Sequence, residues 1–291
     1  MTEVRFRKLA VFGVGLIGGS FAAALKHVGR VDRVVGVGRG QANLARAVEL
    51  GVIDEIAADA RSAVADADLI LVSVPVHATE QILNSLAPYL EAGAAITDGG
   101  STKRDVIAAA RSALGNKLSQ FVPAHPIAGA EHSGVEAAHA KLYNDRTVVI
   151  TPLAETAADA RARIDAAWRA CGARIVEMTP QRHDEVLAAV SHLPHALAFA
   201  LVHMIASRTQ AAELFSFAGA GFRDFTRIAS SSPEMWRDIF LANRDALLAE
   251  LSDYQNGLAK LMTQLQADDG AGLQRTFESA RTARNAWLQS K

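Results

Sequence analysis

Only one cysteine, Cys171, occurs among the 291 residues. That excludes an internal disulfide and any multi-cysteine zinc or iron–sulfur site, and a reducing cytoplasm is the expected location. An excess of charge is missing too: Lys+Arg total 30 and Asp+Glu 31, a net charge of −1. Such a chain has no global field with which to gather nucleic acid or an anionic membrane, so neither is expected as a partner. Any bound anion must then be held by a local cluster. Internal repeats and low-complexity linkers are absent. What is present is apolar material, half of the residues against 21% charged, which suffices for a sizeable core and argues against disorder. The length exceeds one average domain and points to two domains or one large one.

One apolar run imitates a secretory leader. Arg5, Arg7 and Lys8 precede an uncharged stretch, Leu9–Leu25, that ends in small residues. Gly13, Gly15, Gly18 and Gly19 within it disfavour a continuous apolar helix, and the run is short for a membrane span. A nucleotide-binding turn accounts for the same residues better.

Strand-like and helix-like stretches alternate through the first part of the chain. Lys8–Gly13, Arg33–Val37, Leu69–Val74, Ala94–Asp98, Phe121–Ala124 and Thr147–Ile150 read as strands, and Leu16–His27 and Gln41–Leu50 as helices, the latter stopped by Gly51. This alternation predicts an α/β, Rossmann-type, doubly wound parallel sheet with helices on both faces. After about Thr179 the texture changes to apolar residues at three- and four-residue spacing, as in Asp184–Ala206 and Glu234–Gln266, with no strand. An all-α domain is expected there, interrupted around Gly219–Gly221. Helices this long need a partner within the domain or from a second subunit.

Gly13-Val14-Gly15-Leu16-Ile17-Gly18 is a complete G-x-G-x-x-G after a strand and at the start of a helix. The first glycine permits the tight turn and the second lets backbone approach a pyrophosphate. The third allows close helix–strand packing, and the helix N-terminus faces the anion. Gly13, Gly15, Leu16, Ile17 and Gly18 are therefore expected at a dinucleotide. At the end of the second strand, Gly38 stands where NAD-binding versions usually carry an acid, and Arg39 follows. Loss of the carboxylate removes repulsion against a 2′-phosphate and a guanidinium can bind it, which predicts a preference for NADP, with NAD possible. Ser73-Val74-Pro75 is expected against the nucleotide. Asp98-Gly99-Gly100-Ser101-Thr102-Lys103 is expected to line the same crevice, or to be no more than a capped turn that starts a helix at Thr102. His125, at a strand end before Pro126, is a candidate general base. His192 and His195 are three apart, and His183 and His203 lie at other spacings. With no H-E-x-x-H and no second cysteine, no metal is expected.

Gly13–Ser20, Gly99–Lys103, His125–Gly129, Ser191-His192-Leu193-Pro194-His195 and Asp224-Phe225-Thr226-Arg227-Ile228-Ala229 occur in that order. In this the chain closely resembles the prephenate/arogenate dehydrogenases of tyrosine biosynthesis, over nearly its whole length. The resemblance implies a dinucleotide-binding domain, 1–179, and a helical dimerisation and substrate domain, 180–291, in a homodimer. It implies oxidative decarboxylation of prephenate or arogenate to 4-hydroxyphenylpyruvate or tyrosine, with tyrosine as a feedback inhibitor. His125 would be the catalytic base, Ser101 the residue that orients it, and Arg227 the ligand of the ring carboxylate. Ser191, His192 and His195 would surround the substrate side chain, and Glu131 would stand at the pocket mouth. Ala130 departs from the threonine of several members. Two alternatives are another two-domain reductase, of the 3-hydroxyacid dehydrogenase or pyrroline-carboxylate reductase type, and a nicotinamide-binding sensor without turnover. The His125-Pro126 and Asp224–Ala229 segments distinguish the family from both.

Overall fold

The structure, a computed structural model, describes residues 4–129 and 132–289. It divides into two compact units, Met1–Arg244 and Asp245–Lys291.

In the first unit, β1 (Phe6–Phe12), β2 (Val31–Val37), β3 (Glu55–Ile56), β4 (Leu69–Val72), β5 (Ala95–Asp98) and β6 (Phe121–Val122) form one sheet in the order β3-β2-β1-β4-β5-β6. Every pair is parallel. Side chains alternate across β1. Leu9 and Val11 pack in one core with Phe21, Leu25 and Trp168, whereas Ala10 and Phe12 pack in another with Leu83, Leu86 and Leu114. That is a sheet buried on both faces, and it explains why its strands read as unbroken apolar runs. The leader-like segment is thus β1, a glycine turn and helix Leu16–His27.

Near the sheet edge the structure departs from the expected strands. Phe121–Ala124 is not a single strand, because Pro123 has no N–H for the ladder. Phe121–Val122 completes the parallel sheet, and Ala124–Pro126 (β7) opens a second one with β8 (Thr147–Ile150) and β9 (Arg174–Glu177). There β7 runs antiparallel to β8, and β8 parallel to β9. Two strands were not legible, β3 with two residues and β9, mostly exposed, because neither carries an apolar run.

Among the described residues no strand follows β9. Helix Pro180–Leu187, a π-helical turn Ala188–His192 and helix Leu193–Ala206 replace the single helix expected over Asp184–Ala206. Gly219 caps helix Ala220–Thr226. The long helix expected over Glu234–Gln266 is two, Pro233–Ala242 and Arg244–Gln266, broken at Asn243. Pro180–Ala206 is long and apolar enough to cross a membrane by length and composition alone, with a mean hydropathy of 1.5. It carries His183, Asp184 and His192 buried in hydrogen bonds with other elements, however, which is the arrangement of a protein interior. The second unit consists of the remainder of helix Arg244–Gln266 and helix Gly270–Gln289. Its Leu248, Tyr254, Leu258, Met262, Leu265 and Phe277 are exposed.

Candidate active site

The glycine fingerprint lies at the carboxyl end of β1, stitched to the strands on either side. Gly13 N–H donates to Val37 O at 2.8 Å, and the Ser73 hydroxyl donates to Gly13 O at 2.7 Å. Gly13 has φ +96°, and a Cβ there would stand 2.4 Å from Ser73 O. A Cβ at Gly18 would stand 2.3 Å from Gly13 O. These two glycines let turn, strand and helix meet. Gly15 differs, since a Cβ there would meet nothing within 4 Å. Gly15 also caps helix Leu16–His27 without a side-chain hydrogen bond, so open space adjoins first-turn N–H groups that no cap satisfies. Those residues fit a pyrophosphate. Gly38 and Arg39 follow β2 directly and are exposed. Leu44 approaches the Gly38 Cβ position only to 3.6 Å, so nothing there fills the place of the usual acid. Val74 packs at the Gly13 position and Pro75 is exposed. Ser73, with its proton on Gly13 O, supports the turn.

Next to this crevice, Asp184 joins two backbone amides at the start of a helix to a histidine side chain. Its carboxylate accepts from Lys103 N–H at 2.8 Å and Arg104 N–H at 3.0 Å, and it lies 2.7 Å from His183 Nδ1. Helix Arg104–Leu114 has no side-chain cap of its own, so Asp184 caps it from 80 residues away. The helix expected to start at Thr102 in fact starts at Arg104. Burial pushes the Asp184 pKa up, but the His183, Arg104 and Lys103 hydrogen bonds outweigh it and the net shift is downward.

An ionised Asp184 fixes the tautomers in turn. It only accepts, so His183 Nδ1 carries a proton and donates. Burial lowers the His183 pKa against the raising pull of Asp184, so the ring is neutral and its Nε2 accepts. His125 Nδ1 lies 2.8 Å from that Nε2 and must be the donor. The proton of the neutral His125 ring is thereby placed on Nδ1, and Nε2 keeps a lone pair. Burial, followed by the charges of His183, Lys103 and His192, holds the His125 pKa well below 6.5. His125 is thus an oriented, neutral imidazole.

A buried ion pair anchors the backbone beside it. Lys103, wholly buried, pairs with Asp98 and donates from Nζ to Ala124 O at 2.7 Å, while Asp98 accepts from Ala124 N–H at 2.9 Å and Gly100 N–H at 2.8 Å. Both polar groups of Ala124 are spent in fixing the strand that bears His125.

Of the other expected residues, Ser101 is half-buried and its side chain makes no hydrogen bond among the described residues. The orienting contact to His125 comes from His183, which sequence reasoning treated only as a possible metal ligand. Among the described residues no group of three acidic, histidine or cysteine side chains could hold a metal. His195 Nδ1 donates to Ser191 O at 2.9 Å, and its ring stacks on Trp236 with centroids 3.6 Å apart. Ser191 therefore acts on His195 through its backbone. Burial lowers the His195 pKa, and the charge of Arg227 lowers it further, which places Arg227 within electrostatic reach. His192 is buried, with Nδ1 3.2 Å from Asn243 Nδ2. Glu131 and Ala130 lie outside the described residues.

Comparison with known proteins identifies the chain's relatives. Residues 21–177 match the family model described as prephenate dehydrogenase, nucleotide-binding domain, and residues 179–279 the model described as prephenate dehydrogenase, dimerization domain. The chain is 38% identical over 289 residues to the cyclohexadienyl dehydrogenase of Zymomonas mobilis, covering 97% of this chain and 96% of that one. It resembles the crystal structure of prephenate dehydrogenase from A. aeolicus in complex with hydroxyphenyl propionate and NAD+, with TM-score 0.91, 34% identity and coverage of 97% and 99%. It also resembles the Synechocystis arogenate dehydrogenase, with TM-score 0.81, 29% identity and coverage of 96% and 99%.

Proposed function

Since the chain belongs to the prephenate dehydrogenase family, we propose that it oxidises prephenate, arogenate or both at the carbon bearing the ring hydroxyl. The ring carboxylate leaves as carbon dioxide, and the product is 4-hydroxyphenylpyruvate or tyrosine. A bound nicotinamide dinucleotide supplies the hydride acceptor, held by Gly13–Gly18 with Val74 and Pro75 alongside. The open, uncharged surface at Gly38 and the cation of Arg39 favour NADP over NAD.

The observation that carries the reading is the hydrogen-bond chain Asp184–His183–His125, which leaves His125 Nε2 as the acceptor. His125 takes the proton of the substrate hydroxyl, and the imidazolium so formed donates from Nδ1 to a histidine already hydrogen-bonded to a carboxylate. His183 and Asp184 are positioning residues in this scheme. Arg227 holds the ring carboxylate, a contact already present in the ground state that acts mainly on binding. His192 and His195 meet the substrate side chain, with Ser191 behind them. Ser101 lies near the hydroxyl, and Glu131 is assigned to the pocket mouth.

Residues 1–179 form the nucleotide domain in this reading, and 180–291 the domain of dimerisation and substrate contact. A homodimer would cover exposed side chains such as Leu258, Met262 and Phe277. Tyrosine, which shares the product's ring, is the expected feedback inhibitor. The buried free thiol of Cys171 suits the reducing cytoplasm.

The test is reduced-nicotinamide absorbance with prephenate and with arogenate, each with NADP and with NAD. Turnover in at least one mixture is expected, faster with NADP. Intact nucleotide binding with no turnover in all four would overturn the reading, and equal rates with both nucleotides would remove the role given to Arg39.

A further inference from the structure

Asn243 is 1% exposed and stands in the break between helices Pro233–Ala242 and Arg244–Gln266. Its side-chain nitrogen donates to the backbone carbonyl of Asp184 at 2.7 Å and lies 3.2 Å from His192 Nδ1. A backbone carbonyl only accepts, so the group against it must be the NH2 of the amide; the reverse orientation would set two oxygens against each other. One hydrogen of that NH2 is spent on Asp184. The other points at His192 Nδ1, which must then accept, and the single proton of the neutral ring sits on Nε2. That Nε2 bonds nothing among the described residues, whereas Asn243 Oδ1 is buried without a partner. Asn243 thus leaves an acceptor unsatisfied while both its donors are engaged.

The groups around His192 do not reverse this. Asp184, His183 and His195 are charged or titratable groups that act on it, and His125, on which His192 acts in turn, is neutral with its proton on Nδ1. The Asp184 carboxylate is committed to His183 and to the Lys103 and Arg104 amides. Trp236, which presents its ring at 6.0 Å and 74°, carries no charge. Burial lowers the His192 pKa to about 4, so the ring is neutral over the ordinary pH range.

We propose that Asn243 is a positioning residue that fixes His192 as the Nε2–H tautomer, a neutral donor offered to an oxygen of the substrate side chain. On the keto oxygen this donor finds an acceptor, whereas in the amino acid an ammonium group, which only donates, takes that oxygen's place, so the site favours a keto-acid substrate over the amino acid. The substrate half of this rests on the proposed oxidation of prephenate or arogenate, and the tautomer half does not.

The two halves are read separately. Nitrogen-15 NMR of histidine-labelled protein reports the tautomer, with the His192 signal identified by its loss in His192→Gln. An Nε2–H pattern constant from about pH 5.5 to 8 is expected. An Nδ1–H pattern, or titration within that range, overturns the proposal whatever the enzyme turns over. In Asn243→Asp the carboxylate accepts from Nδ1–H, so His192 is expected to change tautomer or gain a proton near neutrality. KM for prephenate should rise roughly tenfold with a smaller change in kcat, and the preference for prephenate over arogenate should narrow. A switched tautomer with unchanged KM and unchanged preference would overturn the substrate role. Asn243→Ser, too short to reach the ring, serves if the aspartate variant fails to fold. It should release His192 into a mixture of tautomers, and a ring that stays wholly Nε2–H would remove Asn243 as the cause.

Discussion

The nucleotide crevice and the histidine network lie side by side and are built by opposite means. In the crevice the working surface is backbone: Gly13 and Gly18 have no side chain because strand and turn occupy the space, and Gly15 has none where the space is open. In the network the working surface is side chains held from distant segments: Asp98 pairs with Lys103, the Lys103 and Arg104 amides hold Asp184, and Asp184 orients His183, which orients His125. A backbone cradle depends on local spacing and tolerates changes elsewhere. A side-chain chain depends on several distant segments at once, so the loss of one member is felt along its length.

Four experiments would break or sharpen that contrast, and they begin with the largest effect. For His125→Asn, kcat should fall by about 10²-fold or more while nucleotide affinity stays within about twofold. Near-normal turnover would detach the network from the chemistry. Lys103→Met should cost about 3–5 kcal/mol of folding stability in a denaturant titration, because Asp98 is left as a buried, unpaired charge. Restoration by the double variant with Asp98→Asn would identify the charge, rather than packing, as the cause.

The third experiment is pH. His125, His183 and His192 all have depressed pKa values, for each of which burial is the largest cause, so the folded chain resists protons that the unfolded chain accepts near 6.5. Stability should therefore be full above about pH 7 and decline as pH falls below about 6.5. A Tm that is flat from pH 7.5 to 5 would contradict the assigned neutral rings. The smallest effect is expected in the crevice. Gly15→Ala should leave stability within about 1 kcal/mol, since its Cβ meets nothing. It should weaken dinucleotide binding roughly tenfold in a direct titration. Unchanged binding would mean that no ligand backs onto Gly15.

The sequence made the two regions unequally legible for the same physical reason. The G-x-G-x-x-G, Gly38-Arg39 and the first strands of the parallel sheet are local patterns, and each lies in the structure where its spacing placed it. His125 was legible as a strand-end histidine before a proline. Its partner His183 was not, since 58 positions separate them and no local spacing links the two. One signal was available: His183 and Asp184 form an adjacent polar pair at the start of a run with mean hydropathy 1.5, and such a pair must be satisfied by something. Asn243 was hidden differently, because apolar spacing continues across it and the two helices read as one. The second sheet was missed at Pro123, whose lack of an N–H ends β6 one residue before β7 begins.

The π-helical turn at Ala188–His192, closed by Leu193 N–H on Ala188 O, has an angular consequence. Each residue of an α-helix advances about 100°, so Asp184 and His192, eight apart, would stand roughly 80° out of phase on a regular helix. A turn closed one residue later absorbs a step and brings them to within roughly 20° of one line. Asn243 can then touch both. The register of the two histidine groups is thus set by how many residues lie between them, and by their identity only in second place. Substitutions that keep the count preserve the alignment, whereas one residue gained or lost there turns His192 and His195 away from His183 by about 100°, more than a quarter of a full turn.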